Sequence, residues 1–258
     1  GKPGSDWFGS PAIALPKRQE SQVFPQELTL RPSALRYFAR AFVELIRIVI
    51  PETVIICLSI LLIAYGHDLL SEDAWWKFPI LFPLYYLGLM GIPAFLITVI
   101  LKWTFGGKHQ PRQMPIWTFG VWKSEAITVI YEALSVPFLL QYLRGTPWLP
   151  FLLRFLGVKI GSRVWMNTTD ITEFDMVTIG DDAALNEDCG PQTHLFEDRV
   201  MKVARVQIGA RSSIGAKSIV LYDTEVGEDV DVEALSLVMK GERLPPGTSW
   251  TGSPVRPL

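Results

Sequence analysis

The chain has 258 residues, of which 49% are hydrophobic and 19% are charged, and nine of them are tryptophans. A mean hydropathy of +0.25 is high for a typical soluble enzyme, so we expect part of the chain to lie in lipid. The formal net charge of −2 gives no bulk electrostatic reason for nucleic-acid binding. The two cysteines, Cys57 and Cys189, give no reason to pair, and a reduced compartment is the simpler interpretation.

The beginning of the sequence matches its end. PGSDWFGSP at residues 3–11 and PGTSWTGSP at residues 246–254 share six identities at a constant offset of 243. Self-similarity at a fixed spacing is the signature of repeated units. We therefore predict that residues 1–11 end a preceding repeat unit and that the chain is a piece of a longer protein with tandem copies.

Residues 12–44 are predicted to form a linker followed by an amphipathic helix. Arg36, Arg40 and Glu44 recur at helical spacing among apolar residues such as Phe38. This pattern is typical of a helix that leads into a membrane. A solvated surface helix is the competing interpretation.

Two apolar runs, residues 45–65 and 78–101, lie in a region that we predict to be a transmembrane helical hairpin, residues 45–102. Each run is long enough to cross a hydrocarbon layer of about 30 Å. Basic residues flank the pair, whereas the connecting stretch is acidic and contains Trp75 and Trp76. The positive-inside rule then predicts a multi-pass membrane protein whose C-terminal domain is cytoplasmic. A buried helical core is the alternative.

The next region, residues 103–157, is aromatic and apolar with scattered charges. We predict two or three interfacial helices there, broken at Pro137 and at residues 145–147. Trp122 and Trp148 are among the aromatic residues that suit a membrane boundary.

A six-residue period organises the C-terminal part. From Ile208 to Val232 an aliphatic residue occupies every sixth position, and Ser, Thr or Val follows four places later. This period fits neither a helix nor a single strand, but it fits a coil of three short faces per turn. The repeat resembles the left-handed parallel β-helix of hexapeptide acyltransferases, which predicts that fold for residues 158–258. Ordinary short strands are the alternative.

The period is irregular twice: one additional residue must be absorbed near residues 169–173, and the register is lost over residues 185–206. We predict a functional loop at 185–206, because a departure from a regular solenoid has no packing reason to be rich in titratable groups. His194 is its histidine and the predicted general base, with Glu197 and Asp198 as the carboxylates that support the imidazole.

Other residues are predicted to bind substrate. Asn186 and Gln192 are candidate oxyanion donors. Glu173 and Asp175, two apart on a predicted strand, are expected to face one side and bind a cationic acceptor, or else to be solvated. Arg199 is also predicted to bind substrate, although the stretch from Glu197 to Arg199 has a second interpretation, a salt-bridged loop anchor. The sequence has no clustered Cys/His spacing, so no metal site is predicted.

Three motifs carry a more specific resemblance: ITEFDMVTIGDD, then QTHLFEDRVMK, and finally WTGSPVRP. With the preceding hairpin and the tandem repeat, they resemble the C-terminal membrane part of the ε-poly-L-lysine synthetase family. In that family, an adenylation domain and a carrier domain precede transmembrane segments interleaved with three related soluble domains. Those domains look like acetyltransferases and join amino acids into an isopeptide-linked chain.

The resemblance implies the partners of this chain. The donor would be an aminoacyl thioester on the phosphopantetheine arm of a carrier domain, with no cofactor bound by this segment itself. The acceptor would be an amino acid or polycation held by acidic residues near His194. Other tandem copies would complete a pseudo-trimer. Two alternatives remain open: a non-catalytic structural unit, and a membrane-bound acyltransferase that uses acetyl-CoA.

Overall fold

The computed structural model describes residues 7–8, 13–14, 22–71 and 75–258, with side chains from 22–67 and 76–258. Nine of the eleven residues 1–11, predicted to end a preceding repeat unit, and residues 72–74 between the two membrane runs lie outside these ranges. Two short strands at the beginning, β1 (Trp7–Phe8) and β2 (Ile13–Ala14), pair antiparallel.

The predicted amphipathic helix and the first apolar run form one helix. A short helix, α1 (Gln26–Thr29), precedes the 38-residue α2 (Ala34–Ser71), which continues through Pro51. The second run, after a 3-10 turn at Trp75–Lys77, forms α3 (Phe78–Tyr86) and α4 (Ile92–Leu101), with π-helical turns at Leu87–Gly91 and Lys102–Gly106. By length and composition, Gln26–His67 and Phe78–Gly106 are each able to span a membrane.

The region predicted as interfacial helices begins with a strand, β3 (Arg112–Pro115). The helices that follow are α5 (Phe119–Ile130), a π-helical turn at Tyr131–Ser135, α6 (Val136–Phe138), a 3-10 turn at Leu140–Leu143, and α7 (Trp148–Leu156). The break predicted at Pro137 falls two residues later: Pro137 lies in α6, which ends at Phe138, and the backbone leaves helical geometry at Leu139 with a φ of −145°. Trp122 is buried, whereas Trp148 is exposed.

The C-terminal part is a parallel β-helix with three sheets. Its strands, together with a hairpin that leaves it, are β4 (Lys159–Ile160), β5 (Trp165–Met166), β6 (Val177–Ile179), β7 (Ala184–Leu185), β8 (Gly190–Gln192), β9 (His194–Glu197), β10 (Val200–Val203), β11 (Val206–Ile208), β12 (Ser213–Ile214), β13 (Ile219–Leu221), β14 (Thr224–Val226), β15 (Asp231–Val232), β16 (Leu237–Val238), β17 (Arg243–Leu244), β18 (Ser249–Thr251) and β19 (Arg256–Pro257).

The strand pairing confirms the hexapeptide period. Ile208 of β11 pairs with Val226 of β14, three sixes later, and Ile214 of β12 pairs with Val232 of β15. The aliphatic residues fill the interior, and Ser212, four places after Ile208, closes a corner by donating to the carbonyl of Gly227 at 2.7 Å. Each coil can therefore bury apolar side chains while its small polar residue satisfies a backbone group.

The first coil carries the additional residue. Ile160 of β4 pairs with Ile179 of β6, nineteen positions later, and the third face of this coil holds a 3-10 helix, Phe174–Met176, instead of a strand. Glu173 precedes this helix with a φ of 36°. A left-handed backbone at a non-glycine residue is strained and is commonly found at functional sites.

The predicted loss of register at residue 185 is wrong. Strand β8 keeps the period, and Pro191 pairs with Val220 of β13. The sequence pattern concealed this coil because the buried Pro191 replaces an aliphatic residue. The chain leaves the β-helix only after Gln192, as the antiparallel hairpin β9–β10, and strand β10 also pairs with β3.

The two ends of the chain show the same antiparallel strand pairing. Trp7 pairs with Ala14, and Trp250 pairs antiparallel with Pro257, at the same sequence offset. The sequence match between the two ends therefore extends to backbone pairing.

Candidate active site

His194 is the first residue of β9, at the point where the chain leaves the β-helix. It lies opposite Val203 of β10, whose strand is held on its other side by β3. The His194 side chain is 20% exposed. The imidazole is thus fixed by a three-stranded sheet but keeps access to its surroundings.

The carboxylate that contacts His194 is Glu173. Its side chain is fully buried, and Oε2 lies 2.7 Å from His194 Nδ1. The hydroxyl of Thr193 donates to the same oxygen at 2.6 Å, and the hydroxyl of Ser124, from α5, donates to Oε1 at 2.6 Å. A buried carboxylate that accepts from three donors, and to which no described lysine or arginine is paired, is suited to orient an imidazole.

The pKa values of this pair move apart. Burial raises the pKa of Glu173, but hydrogen bonds from His194, Ser124 and Thr193 outweigh it and lower that pKa to about 2. Burial also lowers the pKa of His194, but the hydrogen bond and charge of Glu173, with a smaller contribution from Glu125, raise it above the ordinary value. Glu173 is therefore ionised at neutral pH, and Nδ1 of His194 donates to it.

A cavity of about 160 Å³ opens at the pair. Glu173 and His194 line it from the β-helix side. Its other lining residues come from α2, α5 and β10: Arg47, Glu125, Thr128, Val129 and Met201. With Nδ1 engaged, Nε2 is the nitrogen of His194 left to accept a proton from a molecule in this cavity.

The carboxylates predicted to support His194 lie elsewhere. Glu197 binds the ammonium groups of Lys202, at 2.9 Å, and Lys240. Asp198 lies in the β9–β10 turn with a φ of 52° and an exposed side chain. Neither lines the His194 cavity. Arg199, in the same turn, accepts a backbone hydrogen bond from Ile116 through its carbonyl.

Glu173 and Asp175 do not share one face of a strand, because their segment is a turn and a 3-10 helix. Asp175 Oδ1 binds Lys102 Nζ at 2.7 Å, and Oδ2 accepts from the backbone N–H of His109 at 3.0 Å. Burial raises the pKa of Asp175, but the hydrogen bonds from His109 and Lys102 outweigh it and lower that pKa below its ordinary value. The prediction that this pair binds a cation together is corrected: Asp175 already holds one.

The predicted oxyanion donors are engaged within the β-helix. The amide of Asn186 donates to the carbonyl of Ile214 at 3.0 Å, and that of Gln192 donates to Asp170 at 3.2 Å. Burial raises the pKa of the Cys189 thiol to about 12, so it is not an activated nucleophile. Among the residues that the structure describes, no group of three or more His, Cys, Asp or Glu could hold a metal ion.

Sequence reasoning missed Ser124, Glu125 and Arg47. All three lie on helices, at least 48 positions before Glu173, and only folding brings Glu125 and Arg47 to the cavity and Ser124 to the Glu173 carboxylate. Glu173 itself was predicted as a substrate ligand, and its role as the partner of His194 was not.

No protein-family model matches the sequence. The chain is 45% identical over 259 aligned residues to the delta-poly-L-ornithine synthetase of Acinetobacter baumannii (strain AB307-0294), covering 98% of this chain and 19% of that protein. The chain thus spans about a fifth of the length of this curated relative.

Solved structures similar to the chain include acyltransferases. A maltose O-acetyltransferase from Clostridium difficile 630 has a TM-score of 0.35 at 18% identity, over 46% of this chain and 81% of that one. A hexapeptide-repeat acetyltransferase from Vibrio cholerae has a TM-score of 0.37 at 17% identity, over 46% and 85%. A galactoside acetyltransferase in complex with coenzyme A has a TM-score of 0.37 at 18% identity, over 46% and 76%. The β-helix assignment itself rests on the strand pairing.

Proposed function

We propose that this chain is an aminoacyl-transfer unit of a membrane-associated homopoly-amino-acid synthetase, with His194 as its general base. The observation that carries the proposal is the contact of 2.7 Å between His194 Nδ1 and the buried Glu173 carboxylate at the wall of a cavity. An imidazole fixed in this way is suited to remove a proton from an attacking amine.

The reaction proceeds in one displacement. His194 Nε2 accepts a proton from the acceptor amine as the amine nitrogen attacks the carbonyl carbon of an aminoacyl thioester. The new C–N bond replaces the C–S bond, and the thiol leaves with the proton that His194 returns. Glu173 keeps the imidazole in one tautomer and stabilises the imidazolium that forms between these steps.

The substrate class is supported by the relative. That protein is named for a polymer of ornithine, a cationic amino acid, whereas the sequence motifs resembled a lysine-polymer family. We therefore propose a cationic amino acid, or the end of its polymer, as acceptor. The phosphopantetheine arm of a carrier domain remains the proposed donor, and coenzyme A is the alternative.

The proposed location is a membrane surface. The exposed Ile56, Ile60 and Ile63 of α2 would lie in lipid, together with the second membrane-spanning segment. Helix α7 would lie in the interface: it buries Leu149 and Leu153 but exposes the aromatic residues Trp148, Phe151 and Phe155. We further propose that the β-helix is cytoplasmic and packs with other tandem copies as a pseudo-trimer.

The test is His194→Ala in the complete synthetase. We expect polymer formation to fall by a factor of about 10² to 10⁴ while amino-acid adenylation stays unchanged. Unchanged polymer formation would mean that this unit is a structural member of the array. Transfer of acetyl groups from acetyl-CoA by a protein without adenylation activity would support the acetyltransferase instead.

A further inference from the structure

An apolar groove of about 180 Å³ lies between α2, the end of the second membrane-spanning segment, and α5. Nine of its ten lining residues are apolar, among them Ile50 of α2, Phe105, and Ala126 and Ile127 of α5. The tenth is Lys123. Water in such a groove would lack hydrogen-bond partners, so the groove is suited to an apolar ligand.

The groove lies where each membrane-spanning segment changes from charged to apolar. On α2, Glu52 is the last charged residue before a stretch without charges that reaches Gly66. On the other segment, Lys102 is the first charged residue after residues 78–101, and Trp103 follows it. Such a boundary, marked by a tryptophan, is where lipid headgroups meet acyl chains. The groove is therefore at the depth where an acyl chain begins.

The groove is continuous with the surface that we propose to lie in lipid. Two of its lining residues, Phe105 and Phe119, are 65% and 62% exposed, so its rim is apolar as well. Two large aromatic side chains exposed side by side with an apolar groove would be unfavourable in water. In a membrane, the same rim contacts acyl chains, and a chain can enter the groove from the bilayer.

Lys123 gives the groove a positive charge at one side. The residue is half-buried and forms no ion pair with any residue that the structure describes. The positions three and four away from it on α5 hold Phe119, Gly120, Ala126 and Ile127, so no carboxylate is within helical reach. An unpaired lysine at the membrane interface attracts the phosphate of an anionic lipid.

We infer that the groove binds one phospholipid with an anionic headgroup. Its acyl chain packs between Ile50 and Ile127, and its headgroup binds the Lys123 ammonium. The inference rests on the proposed membrane location and adds a lipid site to it. Ser124, the next residue of α5, faces the β-helix and donates to Glu173, so the lipid packs against the helix that also supports the His194 site.

The experiment is photo-crosslinking of the complete synthetase in phosphatidylcholine nanodiscs. Each preparation contains a trace of phosphatidylglycerol or of phosphatidylcholine, with a diazirine in the acyl chain near the glycerol. Mass spectrometry of the digested protein then locates the label. We expect labelling of α2 around Ile50 and of α5 around Ala126. The yield at α5 should be about fivefold higher with phosphatidylglycerol, because one lysine near an anionic headgroup has an effect of this size.

Two variants separate the charge from the groove. Lys123→Gln should make the two yields at α5 equal while the same peptides remain labelled. Ala126→Leu fills the groove and should reduce labelling of α5 severalfold with both lipids. The control is Lys217→Gln, which removes an exposed lysine of the β-helix that does not line the groove. It should be labelled as the wild type is.

Three outcomes would overturn parts of this inference. Labelling spread evenly along α2, unchanged in Ala126→Leu, would exclude the groove as a lipid site and leave a protein segment as its occupant. A preference for phosphatidylglycerol that persists in Lys123→Gln would exclude the role of Lys123. No labelling of α2 would contradict the membrane location itself. His194→Ala should be labelled as the wild type is whatever its activity, so failure of the proposed function would not affect this result.

Discussion

Two histidine–carboxylate pairs meet at one 3-10 helix, Phe174–Met176: Glu173 precedes the helix and Asp175 lies in it, and the two carboxylates differ in what else they bind. Glu173 contacts His194 at 2.7 Å, and Asp175 contacts His109 at 3.2 Å. Among the described residues, the Glu173 carboxylate otherwise accepts only from hydroxyl groups, whereas the Asp175 carboxylate also binds the ammonium group of the fully buried Lys102. The Asp175 centre is neutralised by a lysine, and the Glu173 centre keeps its charge for the imidazole.

The two histidines also differ in how accessible they are to another molecule. His194 lines a cavity, whereas His109 is 7% exposed and its Nε2 has no hydrogen-bond partner among the described residues. A carboxylate beside a histidine therefore does not make a base by itself. The imidazole must also be accessible to the acceptor molecule. Its carboxylate partner must keep a negative charge that stabilises the imidazolium once the proton has been transferred. The Asp175 centre instead ties Lys102, at the end of the second apolar segment, to the turn that carries Glu173.

The largest expected effect on activity comes from removing the negative charge of Glu173. Glu173→Gln should lower the rate of polymer formation by a factor of about 10² to 10⁴, because the imidazole loses its orienting anion. In the wild type, the raised pKa of His194 places the acidic limb of the pH–rate profile above 6.5, with activity lost as the pH falls. Glu173→Gln should move this limb to lower pH, which a pH–rate profile of the purified synthetase measures.

Asp175→Asn is the matched control for this change, since it neutralises the carboxylate of the other centre. It should leave both the acidic limb and the rate per folded molecule near the wild-type values. If Asp175→Asn moved the limb as far as Glu173→Gln does, the distinction between the two centres would be wrong.

The sequence was sufficient for the β-helix because a hexapeptide period is local. Each coil needs only its own aliphatic and small residues, as in the pairing of Ile208 with Val226. Local patterns did not predict the coil at Pro191, because a proline occupies the inward position where the period calls for an aliphatic residue. They did not predict β3 either, because this strand forms by pairing with β10 of the distant hairpin β9–β10. Non-local pairing of this kind has no signature within the segment itself.

The site was predictable only in part for the same reason. His194 was conspicuous within an irregular stretch, but its partner lies 21 positions earlier and the hydroxyl that supports the partner lies on α5. The alternation expected for Glu173 and Asp175 assumed a strand, and the additional residue of the first coil made a turn instead. That turn sends two carboxylates of one short segment to two different centres.

The contribution of the Asp175–Lys102 ion pair to stability provides the next test. Asp175→Asn leaves the buried Lys102 ammonium without its counter-ion, so we expect the free energy of unfolding to fall by about 3 kcal/mol. The double change with Lys102→Met removes both charges and should recover much of this loss. Denaturant titration in detergent micelles measures both variants. If Asp175→Asn alone were as stable as the wild type, Asp175 would not anchor the second apolar segment.

The smallest expected effect concerns the hydroxyl of Ser124. Ser124→Ala removes one donor to Glu173 and should lower the rate of polymer formation about tenfold, since a hydrogen bond to a charged group contributes about 1.5 kcal/mol. Ser135→Ala is the control, because Ser135 is buried in the next helical turns and its Oγ has no partner among the described residues. Ser135→Ala should leave the rate of polymer formation close to that of the wild type.

For Ser124→Ala, the direction in which the acidic limb of the pH–rate profile shifts is more informative than the size of the rate loss. With one donor fewer, the Glu173 carboxylate is less stabilised, so it attracts the proton on His194 more strongly and raises the pKa of His194 further. The acidic limb of the profile should therefore move to higher pH, opposite to its movement in Glu173→Gln. Two changes at one carboxylate with opposite shifts are expected only if Glu173 acts on His194 through its charge. Shifts in the same direction would mean that both variants act by disturbing the fold around the turn.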